Sequence, residues 1–397
     1  MLTFDPHDPQ LLVSGVPFDV LAQIRAEQRV CPTPAGAWYL ARHDDVVAAL
    51  KDVGVFRADL GPITGLPGIE AVPADQLYLS EIAEPRHGQV RRLYNACFGP
   101  HRTRDVEPVV GHICHRLLDD LVAAEAAETA DLHEGYALPI PALVVAHAMG
   151  LPDHAAASFL EWSVDGSLMT RPVTPGTEPG GPPIHAFFVE QLAAERARPQ
   201  PANHVFRVLI EAEVEGRPLT DEEIVTQLHF MVMAGVHTTR GLLTHVVQRL
   251  VQSPELFARL AGDRTLVAAF IEESLRHDAP VQRTTRRCTA DVTFAGVELH
   301  PGDWIEVGIA SANRDEAVYD DSEAFRLDRP DPREHLAFGA GAHVCPGATL
   351  ARLEAATAVE VLLDRCATMS PEPGYDYPPV PGNLGHRAIP ARLTLRG

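Results

Sequence analysis

The chain of 397 residues has no apolar run of about eighteen residues or more, the length that marks a membrane span. Its start, "MLTFDPHDPQ", carries neither a charged leader nor an apolar h-region. No export signal is therefore expected, and the expected location is the cytoplasm. No CxxC pair occurs among the cysteines at 31, 97, 114, 288, 345 and 366. In a reducing compartment these are thiols, and five of them read as small buried hydrophobes. Positive charge is not in excess either: the net charge of −21 argues against a nucleic-acid partner. A Gly-rich dinucleotide fingerprint, a fused flavin segment and an internal repeat are also missing.

What remains is mostly helix. "HDDVVAALKD" opens with Asp44 or Asp45 as the expected cap. "DVEPVVGHICHRLLDDLVAAEAAE" and "LTDEEIVTQLHFMVMAGVHTTRGLLTHVVQRLVQ" space their apolar residues helically. The second is expected to start at a Thr220 or Asp221 cap and to end near Gln252. At ~1.5 Å per residue it spans roughly 45 Å, enough to cross a large domain. Strand-like segments are few: "AWYLARH", a hairpin-like pair in "DVTFAGVELHPGDWIEVGIA", and "ARLTLR". The Pro/Gly-rich stretch Thr170 to Ile184 is expected to be a lid loop. The expected fold is mainly α with small β-sheets, as a single domain over residues 1–397.

Four stretches carry candidate chemistry. "FGAGAHVCPG" sets Cys345 between glycines at the mouth of a helix. Free amides of such a loop and the helix N-terminus stabilise a thiolate, the reactive and metal-ligating form. A tight turn around a buried thiol is the plainer alternative. "ESLR" puts Glu273 and Arg276 on one helix face, where an exposed pair means little. "AGVHTT" lies midway along the long helix, with Met231, Ala234, Gly235, Thr238 and Leu242 on one stripe. Small residues there either make room for a ligand or allow close helix packing, and the Thr238 hydroxyl bonds back one turn or faces a ligand. "HGQVR" places His87 and Arg91 one turn apart inside a basic stretch, Pro85 to Arg104, that holds no acid. It reads as an anion clamp or as a solvated surface.

In this order and spacing the four stretches resemble the cytochrome P-450 family of haem-thiolate monooxygenases, soluble bacterial branch. The resemblance covers essentially the whole chain. It implies haem b (iron protoporphyrin IX) with Cys345 as axial thiolate and metal ligand, and Phe338, Gly347, Ala234 and Gly235 beside the haem. It further implies His87, Arg91, Arg286 and His343 at the propionates, and Glu273 with Arg276 as a scaffold pair for the Cys345 loop. Their usual third, basic partner is displaced: Ala324 precedes Phe325, so Arg314 or Arg329 is expected to substitute. Thr238 is the implied catalytic threonine.

One departure from the family stands out. An acid usually precedes that threonine, and here it is His237. Three readings are open: His237 relays protons, as a group with an unperturbed pKa of about 6.5 can; it points away while Thr238 and water do the work; or the enzyme uses peroxide. The resemblance implies insertion of one oxygen atom of dioxygen into a small to medium apolar organic substrate. Electrons would come from a ferredoxin and its NAD(P)H-dependent reductase, with Arg92, Arg102 and Arg104 available to an acidic partner. The substrate pocket is expected between residues 56–82, Thr170 to Ile184, Met231 to Gly235, Val281 to Thr285 and Asn383 to His386. Rival readings are a peroxygenase or an oxidative coupling or cyclising catalyst, and a haem-binding sensor without turnover. A cysteine hydrolase is weaker, because no base-plus-orienter pair accompanies Cys345.

Overall fold

A capping box starts the long helix: the Thr220 hydroxyl accepts from the Glu223 amide at 3.2 Å, and the Glu223 carboxylate accepts from the Thr220 amide at 2.8 Å. Three acids in the first turn complement the helix dipole, and Asp221–Gln252 then runs 32 residues unbroken. In this computed structural model residues 2–61, 68–124, 129–152, 154–173, 181–379 and 388–396 are described. Around the long helix pack Pro139–Ala148, Pro183–Arg196 and Ala348–Arg365.

Two apolar cores share this axis. One contains Leu242 to Val251 of the helix, with Pro100–Ala124 and Ala348–Arg365. The other contains Ile224 to Val236, with Phe159, Phe188 and Phe206. Neither includes residues 237–241, and a cavity opens beside that interval.

The sheets are small, as expected. Five strands run in the order Val30–Pro32, Trp38–Leu40, Trp304–Val307, Thr284–Cys288, Phe56–Ala58, and only Trp38–Leu40 with Trp304–Val307 is parallel. A second sheet orders Cys366–Pro371, Pro390–Leu395 and Thr129–Asp131. The hairpin expected after Asp291 forms, but between Val292–Phe294 and Val297–Leu299. Its turn, Ala295 and Gly296, has positive φ at both residues. Trp304–Val307 leaves that pair for the larger sheet.

Two local expectations differ from the structure. The helix His43–Lys51 is not capped by Asp44 or Asp45, which lie in its first turn. The His43 amide instead donates to the Asp315 carboxylate at 2.7 Å, a cap from far along the chain. The segment Cys366–Pro371, after the last helix, is a strand that its short mixed sequence did not announce. Among the described residues no helix is long and apolar enough to cross a membrane.

Candidate active site

The Cys345 loop is fixed at both ends. The Leu336 amide donates to Asn313 Oδ1 at 2.7 Å, and the Cys345 amide donates to the Phe338 carbonyl at 2.8 Å. Gly339 and Gly341 take φ of 73° and 71°. A Cβ on Gly341 would lie 3.1 Å from Lys51 Cα and 3.2 Å from the Leu50 carbonyl. That glycine is thus required by a neighbouring helix as well as by its own backbone angle.

The Cys345 sulfur lines a cavity of about 300 Å³. Burial pushes its thiol up, while the Gly347 and Ala348 amides and the Arg91 and Arg352 guanidiniums pull it down. Gly347 is the N-cap and Ala348 the first residue of Ala348–Arg365, so a helix N-terminus faces the sulfur. Such a sulfur is set to ionise when a metal cation takes the place of its proton.

Across the same cavity wall sit His87, Arg91, Arg286 and His343. The His87 and His343 rings lie 4.3 Å apart. Burial lowers the Arg286 guanidinium to about 10, and burial with repulsion from His87, Arg286 and Arg91 lowers His343 to about 3. Glu84 accepts or shares a proton with His87 Nδ1 at 2.8 Å. His87 Nε2 and Arg286 Nε are buried without a hydrogen-bond partner. Arg286 Nε, a buried donor in this state, costs about 1–3 kcal/mol, and a bound anion would satisfy it. A flat group bearing carboxylates on one edge and a thiolate-seeking metal at its centre fits this donor set, as haem does.

The long helix supplies another wall through Met231, Ala234, Gly235, Thr238 and Leu242. Thr238 Oγ1 donates to the Ala234 carbonyl at 2.7 Å. A Cβ on Gly235 would come within 2.8 Å of Val145, so close helix packing also demands this glycine. His237 differs from the expected relay position. It is buried and absent from the cavity wall, with Nδ1 3.4 Å from the Met233 carbonyl. Burial and the nearby Arg240 lower it to about 4, against the pull of the Met233 and Ser163 carbonyls.

Glu273 and Arg276 are each 2% exposed, which excludes the surface-pair reading. They meet twice at 2.8 Å. Arg329 Nε completes the set at 3.0 Å from both Glu273 oxygens, whereas Arg314 turns to Glu323 and the His277 carbonyl.

Of the expected pocket segments, Leu60, Leu79 and Ser80 reach the cavity, as do Val281 and Thr284. Residues 62–67, 174–180 and Asn383 to His386 lie outside the described residues. In the expected lid, Arg171 instead pairs with Glu81 at 2.7 Å, both fully buried. Two features escaped the sequence. Glu354 stands in the cavity wall with Oε2 unpartnered, and burial raises its carboxyl well above the usual range. Its only signal is a carboxylate inside the apolar "LARLEAATAV". Phe230, also lining, lies one turn before Ala234 on the helix, a place on the stripe that the sequence reading did not use.

Known proteins share this sequence pattern and fold. The family pattern of cytochrome P-450 matches residues 184–379. Erythromycin C-12 hydroxylase of Saccharopolyspora erythraea is 32% identical over 356 residues, 87% of this chain and 86% of the relative. The cytochrome P-450 monooxygenase PikC of Streptomyces venezuelae is 31% identical, covering 95% and 91%. A solved cytochrome P-450 of Chondromyces apiculatus superposes with a TM-score of 0.84 at 29% identity, covering 99% of both chains. A haem-fitting cavity with a thiol at its base, in this fold and with these relatives, places the chain in the cytochrome P-450 family, as a haem-thiolate monooxygenase.

Proposed function

We propose that the chain, working as one catalytic domain, hydroxylates or similarly oxidises a small to medium apolar organic substrate, using haem b and electrons from a separate ferredoxin and its NAD(P)H reductase. The observation that carries this reading is the Cys345 sulfur and the unpartnered His87 and Arg286 nitrogens on one cavity. Cys345 would hold the iron, and His87, Arg91, Arg286 and His343 the propionates, with Phe338, Gly347, Ala234 and Gly235 flanking the ring. Haem bound there would supply dioxygen activation and transfer of one oxygen atom.

The chain's own residues do the rest. Leu60, Leu79, Phe230, Met231 and Val281 exclude water and hold an apolar substrate over the long helix. The Thr238 hydroxyl, now donating to the Ala234 carbonyl, holds the proton at Oγ1 that the reaction consumes, and water entering the cavity resupplies it. His237 stays neutral and outside this route. The two relatives described above are a hydroxylase and a monooxygenase, and the printed name of one refers to erythromycin; a natural product with an apolar face suits the cavity lining. Arg92, Arg102 and Arg104, on the basic stretch, suit an acidic ferredoxin.

A screen of apolar natural products by the haem spin-state shift, followed by ferredoxin-driven turnover, tests the reading. A bound compound converted to a product one oxygen atom heavier supports it. Turnover with peroxide alone and none with reduced ferredoxin would replace it by a peroxygenase, a reading that the turned-away His237 favours second.

A further inference from the structure

Behind the Cys345 loop lies a charge cluster that the reaction scheme above does not use. Glu272, on the helix Leu266–His277 and 5% exposed, accepts from Arg352 Nε at 2.7 Å and Arg352 Nη2 at 2.9 Å. His335 Nε2 lies 2.9 Å from the same carboxylate. The Ala337 amide donates to His335 Nδ1 at 3.3 Å, so in the neutral ring Nε2 carries the proton and donates to Glu272. Held this way, the Arg352 guanidinium carbon sits 4.4 Å from the Phe338 ring centroid, and the His335 ring lies 6.1 Å from it. Phe338 gives its carbonyl to the Cys345 amide, and Arg352 is one of two cations acting on the sulfur.

We propose that Glu272 is a positioning residue for the Cys345 thiolate: with His335 it fixes Arg352 over Phe338, and its charge offsets that of Arg352 at the sulfur. The inference rests on the haem-thiolate reading of the site. Adding one electron to the bound iron adds one negative charge beside Cys345. A neighbouring cation favours that step and a neighbouring anion opposes it. Glu272 and Arg352 therefore shift the reduction potential in opposite directions. Arg333, whose Nε is 3.4 Å from Glu272 and whose side chain is 75% exposed, adds a weaker, screened cation.

The test is the reduction potential of the haem-loaded protein, by dye-coupled spectrophotometric titration, beside the spectrum of the reduced protein under carbon monoxide. Glu272→Gln keeps an oxygen for Arg352 and removes the charge, so its potential is expected above that of the parent. Arg352→Gln is expected below it, and the double variant near it. Arg333→Gln, a surface change that leaves folding intact, is expected slightly below. Shifts of the same sign in the two buried variants, or no shift in them and in Arg333→Gln, overturn the inference while a thiolate-type carbon monoxide band in the parent leaves the haem-thiolate reading standing. Absence of that band in the parent overturns both.

Discussion

Arg276 and Asn313 join the scaffold to the reactive loop. Arg276 Nη1 donates to the Asn313 carbonyl at 2.8 Å, while Asn313 Oδ1 accepts from the Leu336 amide at 2.7 Å. Two residues later the chain reaches Phe338, whose carbonyl accepts from the Cys345 amide. The pair is thus tied to the Cys345 loop through backbone placement, and neither residue lines the cavity.

Arg276→Ala removes this tie and leaves Glu273 buried with Arg329 as its remaining side-chain cation among the described residues. Breaking a buried pair typically costs about 3–5 kcal/mol. Purified Arg276→Ala is expected to carry little haem and to unfold at lower denaturant, and Arg276→Lys is not expected to restore it, since lysine lacks the planar fork that reaches Glu273 and three carbonyls at once. Haem content per protein and urea unfolding check both points.

Thr238 and His237 are separable by coupling. Thr238→Ala is expected to lower product formed per NAD(P)H with turnover falling by about 10²-fold, the lower range for a positioned proton-transfer group. His237→Ala is expected to stay within about twofold of the parent, because the ring is buried off the cavity. Product and peroxide yields against NAD(P)H consumed distinguish the two. A large loss in His237→Ala, restored by His237→Asp, would return the relay to His237.

The sequence announced the long helix, a cap at Thr220 or Asp221, of which Thr220 is the one formed, and the stripe that lines the cavity, because these follow from local spacing. It announced the Cys345 loop because glycine and cysteine there answer to backbone geometry. His237 was legible as a residue but not as a direction, since neighbouring positions on one helix turn differ by about 100° and tertiary packing chooses the face. The third partner of Glu273 was open between Arg314 and Arg329 because both lie in irregular chain, and only the folded path brings Arg329 to 3.0 Å. The Asp315 cap of the helix His43–Lys51 is a contact across the chain that no local pattern encodes.

Glu354 predicts a pH dependence. Burial raises its carboxyl well above the usual range, so between about pH 4.5 and the folded value the native state holds a proton that the unfolded chain has lost. Stability from this group is complete below the unfolded pKa and is lost as pH rises. Glu354→Gln, neutral at every pH, is therefore expected to gain stability over the parent as pH climbs from 5 to 8, with the difference vanishing toward pH 4. Urea midpoints across that range measure it.

Arg171 and Glu81 tie the segment after the helix His154–Val164 to the cavity-lining stretch at Leu79 and Ser80. Arg171 also lies 3.9 Å over the Tyr78 ring, which stacks on Phe230. Arg171→Met is expected to destabilise the fold by about 3–5 kcal/mol, because it strands the Glu81 charge, and Arg171→Met with Glu81→Gln is expected to recover part of that loss. A double-mutant cycle in urea unfolding reads the coupling directly.

The account's central claim is that Cys345 binds haem iron as a thiolate. The most direct test is the absorption spectrum of the purified protein reduced with dithionite under carbon monoxide, beside Cys345→Ser. A strongly red-shifted Soret band in the parent, lost in Cys345→Ser, is the predicted result. A parent that binds no haem, or that shows the band of histidine-ligated haem when fresh, would contradict it.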